Sequence, residues 1–328
     1  MTVPSGDPLV SVVMPAYNAE RTIGAAATSV LWQSVRELEL IVVDDGSLDD
    51  TVDVVNALPG PVRLLRQENR GVAAARNAGI ELARGEFIAF CDADDLLFET
   101  HLEALLDVWH RSADGGMATA NAYWLLPGGI SGRKLRHRGR FPAFSDQRAA
   151  LLQSNFISTM SLLPRDILNQ VGTFDETLRQ AEDWELWLRI VFAGHRVVHQ
   201  PRPLALYRWS TDGLSSQAES FYAAEQEVLR RVSGWPTLTA PERGIVAARL
   251  AAPAPRALLR DADSALRAGA YLRAAAGYRR AASLVPAENL LRTKSRLLTA
   301  APFVVGPLLR RRLLRDEEAL GFDEGHAR

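Results

Sequence analysis

The chain has 328 residues, 47% hydrophobic and 23% charged, the balance of a folded protein rather than a disordered one. Lys and Arg number 38 against 39 Asp and Glu, a formal net charge of -1, which argues against a nucleic-acid partner held by overall charge. Cys91 is the single cysteine, so no disulfide can form within the chain, in keeping with a reducing, cytoplasmic setting. Residues 1–8 lack the basic-then-apolar order of a secretory signal, and no run reaches the roughly 18 apolar residues of a membrane span.

The first half alternates apolar runs with helical patterns. Residues 9–14 (LVSVVM) read as a buried strand, followed by the turn Pro15-Ala16-Tyr17-Asn18 and a helix from about 19 to 33. A second strand over 39–43 runs into Asp44-Asp45-Gly46-Ser47, and Asp49 or Asp50 can cap the helix after it. A third strand over 62–65 and a helix over 72–83 lead to a fourth strand over 87–90. Continuous β-branched runs separated by helices predict a mostly parallel sheet covered on both faces. In such sheets ligands sit beyond the carboxyl ends of the strands. Residues 15–18, 44–47, 67–71 and 92–95 are therefore expected to converge on one crevice. Further along, 116–126 reads as a strand, 127–140 as a Gly- and Arg-rich loop, and 156–163 as strand-like. A helix over 182–192 and two short strands, 195–199 and 204–209, follow. After about Ser216 the chain is Ala-, Leu- and Arg-rich and reads as wholly helical, which places a domain boundary there: 1–216 and 217–328.

Asp92-Ala93-Asp94 is the sharpest local feature. A strand ending in Asp-x-Asp sets two carboxylates on one turn, and Mg²⁺ takes one or two such ligands together with substrate phosphates. An acidic turn capping the next helix reads the same residues equally well in isolation; the place after a fourth parallel strand favours the metal. Asp44-Asp45-Gly46-Ser47 is open between a turn with a helix cap and a carboxylate that accepts from a nucleotide. Tyr17 could stack on a base or be an ordinary half-buried tyrosine. Arg76, in the small-residue helix that opens at Gly71, has the donor fork suited to a diphosphate, although a solvated helix arginine is the plainer reading. Glu182 and Asp183 precede Trp184, Trp187, Leu188 and Val191, spaced as a buried helical face. They read either as acidic residues favoured at a helix start or, for Asp183, as a general base held on a rigid first turn. No His-Glu-x-x-His, no Gly-x-Ser-x-Gly and no Gly-x-Gly-x-x-Gly after the first strand is present, and Gly128–Lys134 fails as a phosphate loop.

In this order and spacing the residues resemble glycosyltransferase family 2, inverting enzymes with the GT-A fold, a Rossmann-like mixed α/β sheet. The likeness covers about residues 10–216. It takes in Val12-Val13-Met14-Pro15-Ala16-Tyr17-Asn18, Val43-Asp44-Asp45-Gly46-Ser47, Gly71 with Ala75-Arg76-Asn77, and Gly85–Phe90 into Asp92-Ala93-Asp94-Asp95. Val171-Gly172-Thr173-Phe174-Asp175 and Glu182-Asp183 complete it. The resemblance implies a nucleotide site made by Pro15, Tyr17, Asn18, Asp45, Arg76 and Asp92. In it Tyr17 stacks on the base, Asp45 binds the base edge and Arg76 contacts the nucleotide. Asp94 would bind Mg²⁺ or Mn²⁺, and Asp92 would lie near the ribose or the metal. Asp183 would be the base that activates an acceptor hydroxyl. The implied reaction is metal-dependent, inverting transfer from a nucleotide-sugar donor, UDP-linked first among them, to a glycan, lipid-linked or small-molecule acceptor. A different class of function, a catalytically silent scaffold whose helical tail binds a partner protein, is disfavoured by the intact acidic set. One departure from the family is Tyr207-Arg208-Trp209-Ser210, with Ser210 where relatives often carry a histidine.

In the C-terminal third, Gly269, Tyr271, Ala274, Tyr278, Ala281 and Pro286 match half of a tetratricopeptide-type unit, and a lone helical hairpin is expected. The apolar stretch 297–309 precedes Arg310, Arg311, Arg312 and Arg315, a pattern open to peripheral contact with the inner face of a membrane. A packed helix with a solvated arginine edge is the favoured reading from sequence. The basic 133–140 loop could face an anionic acceptor or be solvated.

Overall fold

The computed structural model describes residues 7–112, 115–126, 129–134, 140–208, 218–284 and 289–319. Residues 135–139 of the basic loop, Ser210, the Ser216 boundary and Pro286 lie outside these ranges, as does the side chain of Arg315.

The first four strands are β1 (Val10–Ala16), β2 (Leu38–Asp44), β3 (Val62–Arg66) and β4 (Phe87–Phe90), joined through α1 (Ile23–Leu31), α2 (Thr51–Asn56) and α3 (Val72–Leu82). β1 pairs in parallel with β2 and β4, and β2 with β3. The chain continues through β5 (Leu96–Leu97), α4 (His101–His110), β6 (Gly115–Leu126), β7 (Gly129–Lys134) and α5 (Phe144–Gln153). It then forms β8 (Leu162–Pro164), α6 (Arg165–Val171), α7 (Glu182–Phe192) and β9 (Arg196–Arg208). The sheet runs β3-β2-β1-β4-β8-β6-β9-β5, with β7 on β6. Beyond β4 the pairing turns mixed: β8 is antiparallel to β4 and to β6, while β6 and β9 are parallel.

Both faces of the parallel half are covered, as its apolar runs require. On β1, Val12 and Met14 pack toward α1 and α4, whereas Val13 joins a second core with α3 and α7. Helix α3 approaches β1 so closely that a Cβ at Gly79 would lie 2.4 Å from Val13 Cγ1. At the amino ends of the strands, buried Glu39 accepts from Ser11 Oγ at 2.7 Å, Arg84 N at 2.8 Å and Arg63 Nη1 at 3.0 Å. Burial works to raise its pKa, but these donors outweigh it and lower the value. This ion cluster closes the end of the sheet opposite the crevice.

Three local expectations are corrected. The stretch read as loop contains β7, which pairs antiparallel with β6. Gly and Arg are weak strand formers, but pairing with the long β6 supplies what propensity lacks. The 156–163 strand shrinks to β8 at Leu162–Pro164, because Ser158 and Ser161 turn the chain through Ser161 Oγ donating to Ser158 O. The two late strands are one continuous β9 that carries Pro201 and Pro203, with register shifts against β6 where the prolines interrupt the ladder.

The chain divides into two compact units, Met1–Gly213 with Ala224–Leu250, and Leu214–Ala223 with Ala251–Arg328. The first unit thus includes most of α8 (Ala218–Ser233) and all of α9 (Ala240–Leu250), whose Val228, Leu229, Val232 and Val246 enter the core shared with α7. The second unit holds α10 (Pro255–Arg267), α11 (Tyr271–Leu284), α12 (Asn289–Ala300) and α13 (Pro302–Ala319) around Leu258, Ala262, Ala274, Tyr278, Leu291 and Leu298. The predicted hairpin is α10–α11, turning at Gly269 with φ +73°. Two further helices extend it. Among the described residues no helix is long and apolar enough to cross a membrane.

Candidate active site

The strand-end segments interlock at the carboxyl edge of the parallel strands. Pro15 is buried within β1 opposite Val43. Beyond it the chain turns at Asn18, whose φ of +48° lies in the left-handed region that asparagine tolerates better than most residues. The turn is locked reciprocally: Asn18 N donates to Ser47 Oγ at 2.9 Å, and Leu48 N donates to Asn18 Oδ1 at 2.9 Å. Tyr17 is held at its apex and is 50% exposed, available as a platform rather than packed into the core.

Asp45 sits one residue beyond β2 and is buried. Its Oδ1 accepts from Gln67 Nε2 at 2.7 Å and Arg70 N at 2.9 Å, and Oδ2 accepts from Gly71 N at 2.8 Å. The carboxylate therefore clamps the 67–71 segment and sets the start of α3. Three of its roughly four acceptor positions are filled, leaving one on Oδ2. Asp49, not the N-cap residue Asp50, accepts from Thr51 N at 3.1 Å at the start of α2.

Arg76 joins the two acidic motifs. It is buried on α3, its Nη2 donating to Asp92 Oδ1 at 2.6 Å and its Nη1 to Glu182 Oε1 at 2.5 Å. The guanidinium lies 5.3 Å from the centroid of the Phe174 ring. Next to it, Asn77 exchanges two 2.9 Å hydrogen bonds with the backbone of Phe174, so the Ala75-Arg76-Asn77 and Thr173-Phe174-Asp175 motifs meet directly. Burial works against the arginine's charge, but Asp92 and Glu182 outweigh it and hold Arg76 firmly protonated. Burial raises the Glu182 pKa, with Arg76 opposing.

The Asp92–Asp95 turn follows β4. It does not cap α4, which opens at Thr100, so the capping alternative for these aspartates fails. Asp95 is 1% exposed; its Oδ1 accepts from Arg208 N at 2.9 Å, and its Oδ2 is buried without a partner among the described residues. Arg208 Nε also donates to Asp94 O at 2.8 Å, tying the turn to the end of β9. Burial, then the neighbouring Asp92 charge, push the Asp94 carboxyl up to about 6. Burial, then Asp94 and Asp92, raise Asp95 well above the usual carboxylate range. Three mutually repelling carboxyls on one turn suit a divalent cation, for which Asp94 and the second oxygen of Asp92 would be the candidate ligands. Among the described residues no group of three or more His, Cys, Asp and Glu is placed to hold a metal ion by itself, so a cation here would depend on ligand phosphates for the rest of its coordination.

Asp183 occupies the first turn of α7. The residue before that helix, Ala181, has φ +59°, a left-handed conformation strained for alanine. This kink sends Glu182 inward to Arg76. Asp183 is held by different partners: Oδ2 accepts from Asn155 Nδ2 at 3.1 Å and Thr159 Oγ1 at 3.3 Å, and Oδ1 from Trp184 N at 2.6 Å. Trp184 and Trp187, both buried, fix the helix behind it.

Pro15, Tyr17, Asn18, Asp45, Asp92 and Asp94 thus sit at or just beyond the carboxyl ends of β1, β2 and β4, and Asp183 follows Glu182, the partner of Arg76 on α3. Sequence reading missed Gln67, Asn155, Thr159 and Arg208 as supports, and Glu182 as the partner of Arg76. Gln67, Glu182 and Arg208 carried a signal, through their places in the 67–71 strand-end segment, beside Asp183 and in the Tyr207-Arg208 run.

The family model for glycosyl transferase family 2 matches residues 11–172. The succinoglycan biosynthesis protein ExoO of Rhizobium meliloti is 33% identical over 243 residues, covering 68% of this chain and 69% of that protein. An uncharacterised glycosyltransferase of Rickettsia prowazekii is 25% identical over 210 residues, 60% of this chain, which spans 64% of that relative's length. Among solved structures, mannosyltransferase PcManGT from Pyrobaculum calidifontis, in complex with GDP-Man and Mn²⁺, superposes over 98% of this chain and 89% of its own with a TM-score of 0.59 and 20% identity. Residues 1–349 of S. aureus TarS, a protein also solved with UDP, match over 97% of this chain and 98% of theirs, with a TM-score of 0.56 and 18% identity. These likenesses establish the GT-A fold, and with the strand-end motifs in their expected places the chain belongs to glycosyl transferase family 2.

Proposed function

We propose that the protein transfers a sugar from a nucleotide-diphosphate donor, UDP-linked, to a hydroxyl of a glycan, lipid-linked or small-molecule acceptor, with inversion at the anomeric carbon. The observation that carries this reading is the Asp92–Arg76–Glu182 ion-pair chain, which fixes the acidic turn and the helix start bearing Asp183 to one crevice. The complexes of TarS with UDP and of PcManGT with GDP-Man and Mn²⁺ support a nucleotide-sugar donor and a divalent ion. ExoO, by its name, supports a polysaccharide product.

In this reading the exposed Tyr17 ring stacks on the base, and the remaining acceptor position of Asp45 takes one N–H of the base edge. Pro15 and Asn18 hold the shape of that slot. Arg76 orients the Asp92 carboxylate and keeps further N–H donors, among them a buried Nε without a partner among the described residues, for contact with the nucleotide. Asp94, with Asp92, would hold Mg²⁺ or Mn²⁺, and a cation there supplies Lewis-acid stabilisation of the departing diphosphate. Asp183, oriented by Asn155 and Thr159, takes the proton from the acceptor oxygen as that oxygen attacks opposite the leaving group. A single base and in-line attack invert the anomeric centre.

A thermal-shift series with UDP-, dTDP- and GDP-sugars, with and without Mn²⁺, tests the donor site. The expected result is stabilisation by a UDP-sugar that Mn²⁺ enhances and Asp94→Ala removes. No stabilisation by any nucleotide under either metal condition would sink the proposal.

A further inference from the structure

Helix α13 turns one side into the core of the second unit and leaves an equally apolar side uncovered. On the inner side Leu309 and Leu313 pack against that core, and a Cβ at Gly306 would lie 2.5 Å from ring carbons of Tyr271. On the outer side Phe303 is 84% exposed, Val304 69% and Leu308 61%, joined by Leu297 near the end of α12 at 45%. A run of large apolar side chains left exposed beside charged residues marks an interaction surface. Its charge says what the cover is. Between Asn289 and Arg315 the sequence carries Arg292, Lys294, Arg296, Arg310, Arg311, Arg312 and Arg315 and no Asp or Glu, in a chain whose net charge is -1; the acids of α13, Asp316, Glu317 and Glu318, come only after this basic run, at the far end of the helix from Phe303. Arg310 and Arg311 are exposed and follow directly on the apolar stretch.

We propose that the α12–α13 hairpin docks on an anionic phospholipid surface. Phe303, Val304 and Leu308 enter the boundary between headgroups and acyl chains, and Arg310 and Arg311 meet lipid phosphates. A protein partner would have to supply an apolar socket ringed by acid, whereas an anionic bilayer offers both by its nature. The inference is independent of the transfer chemistry. The inner side packs on the core of the second unit, as the sequence reading favoured, and the proposal concerns the outer side alone.

The test is co-sedimentation of the full chain with vesicles of phosphatidylcholine, with or without phosphatidylglycerol. Binding is expected only with phosphatidylglycerol and is expected to fall as salt is raised. Arg310→Gln and Arg311→Gln should each weaken it about fivefold, and Phe303→Ser roughly tenfold or more. All three positions are exposed, so melting temperatures and donor-induced thermal shifts should match wild type, which separates lost docking from lost folding or a failed donor site. Equal binding to both vesicle types, no binding to either, or indifference to the arginine changes would overturn the proposal. A concentration-dependent dimer abolished by Phe303→Ser, without vesicle binding, would instead assign the face to a second copy of the chain.

Discussion

Arg76 on α3 and Asp92 after β4 form a 2.6 Å ion pair in which the arginine is buried and the aspartate is part exposed. The other Nη of the same guanidinium pairs with buried Glu182, so one cation holds the acidic turn and the α7 helix start in register. Arg76→Ala strips a buried carboxylate of its partner and should cost about 3–5 kcal/mol of stability, measurable by urea unfolding. Arg76→Lys keeps the charge but loses the fork. It should fold, yet bind donor and metal more weakly. A lysine variant with wild-type donor affinity would show that the double contact is dispensable.

Asp183→Asn preserves shape while removing the proton acceptor. Transfer should fall by about 10²–10⁴-fold in kcat, with donor-induced stabilisation unchanged because the nucleotide side is untouched. Transfer surviving at the wild-type rate would exclude Asp183 as the base. Asn155→Ala should lower kcat less, by loosening the carboxylate's orientation.

Asp45 holds the 67–71 segment through three hydrogen bonds. Asp45→Ala leaves two backbone N–H groups, those of Arg70 and Gly71, without acceptors. It should cost about 1–3 kcal/mol and also abolish nucleotide-dependent stabilisation. Asp45→Asn keeps part of the clamp and should recover most of the stability but not the nucleotide response.

His101 is buried on α4, with Leu204 O 3.1 Å from Nδ1 and Met160 O 3.2 Å from Nε2. Burial pushes its pKa down from 6.5 to about 4, against the pull of those carbonyls. The folded state therefore prefers the neutral ring. The resulting stability is complete above pH 6.5 and is lost as pH falls from there toward 4. By pH 5 the loss from this group should reach about 2 kcal/mol. Urea unfolding at pH 7 and pH 5 should show a smaller difference in His101→Gln than in wild type.

Gly79→Ala would place a methyl against Val13, where α3 lies on β1. A destabilisation of about 1–3 kcal/mol is expected, and Val13→Ala in the same chain should restore part of it. Calorimetric melting of the two single variants and the double variant checks the coupling.

The parallel half of the sheet and the location of the crevice were legible in the sequence. Their signals are local: unbroken apolar strands, helices between them, and polar turns at each strand end, which chain connectivity forces to the same edge. The places of the acidic turn after β4 and of Asp183 in the first turn of α7 were legible for the same reason, each being a short motif at the end of an element. The partners of those residues were not. Asn155 and Thr159 lie in an irregular stretch with no motif, and Glu182 meets Arg76 across 106 positions of sequence. No periodicity reports a contact of that range. Strand β7 and the extent of β9 were hidden because a neighbouring strand, not intrinsic propensity, stabilises them. The compositional break near Ser216 marks a change to helix, but packing decides that α9 and much of α8 complete the first unit. Sequence placed the acidic groups at the ends of strands and at a helix start. Only the tertiary structure decided which of them are spent on holding Arg76 and Arg208 and which keep oxygens open to a ligand, because burial and pairing are set by distant segments meeting in space.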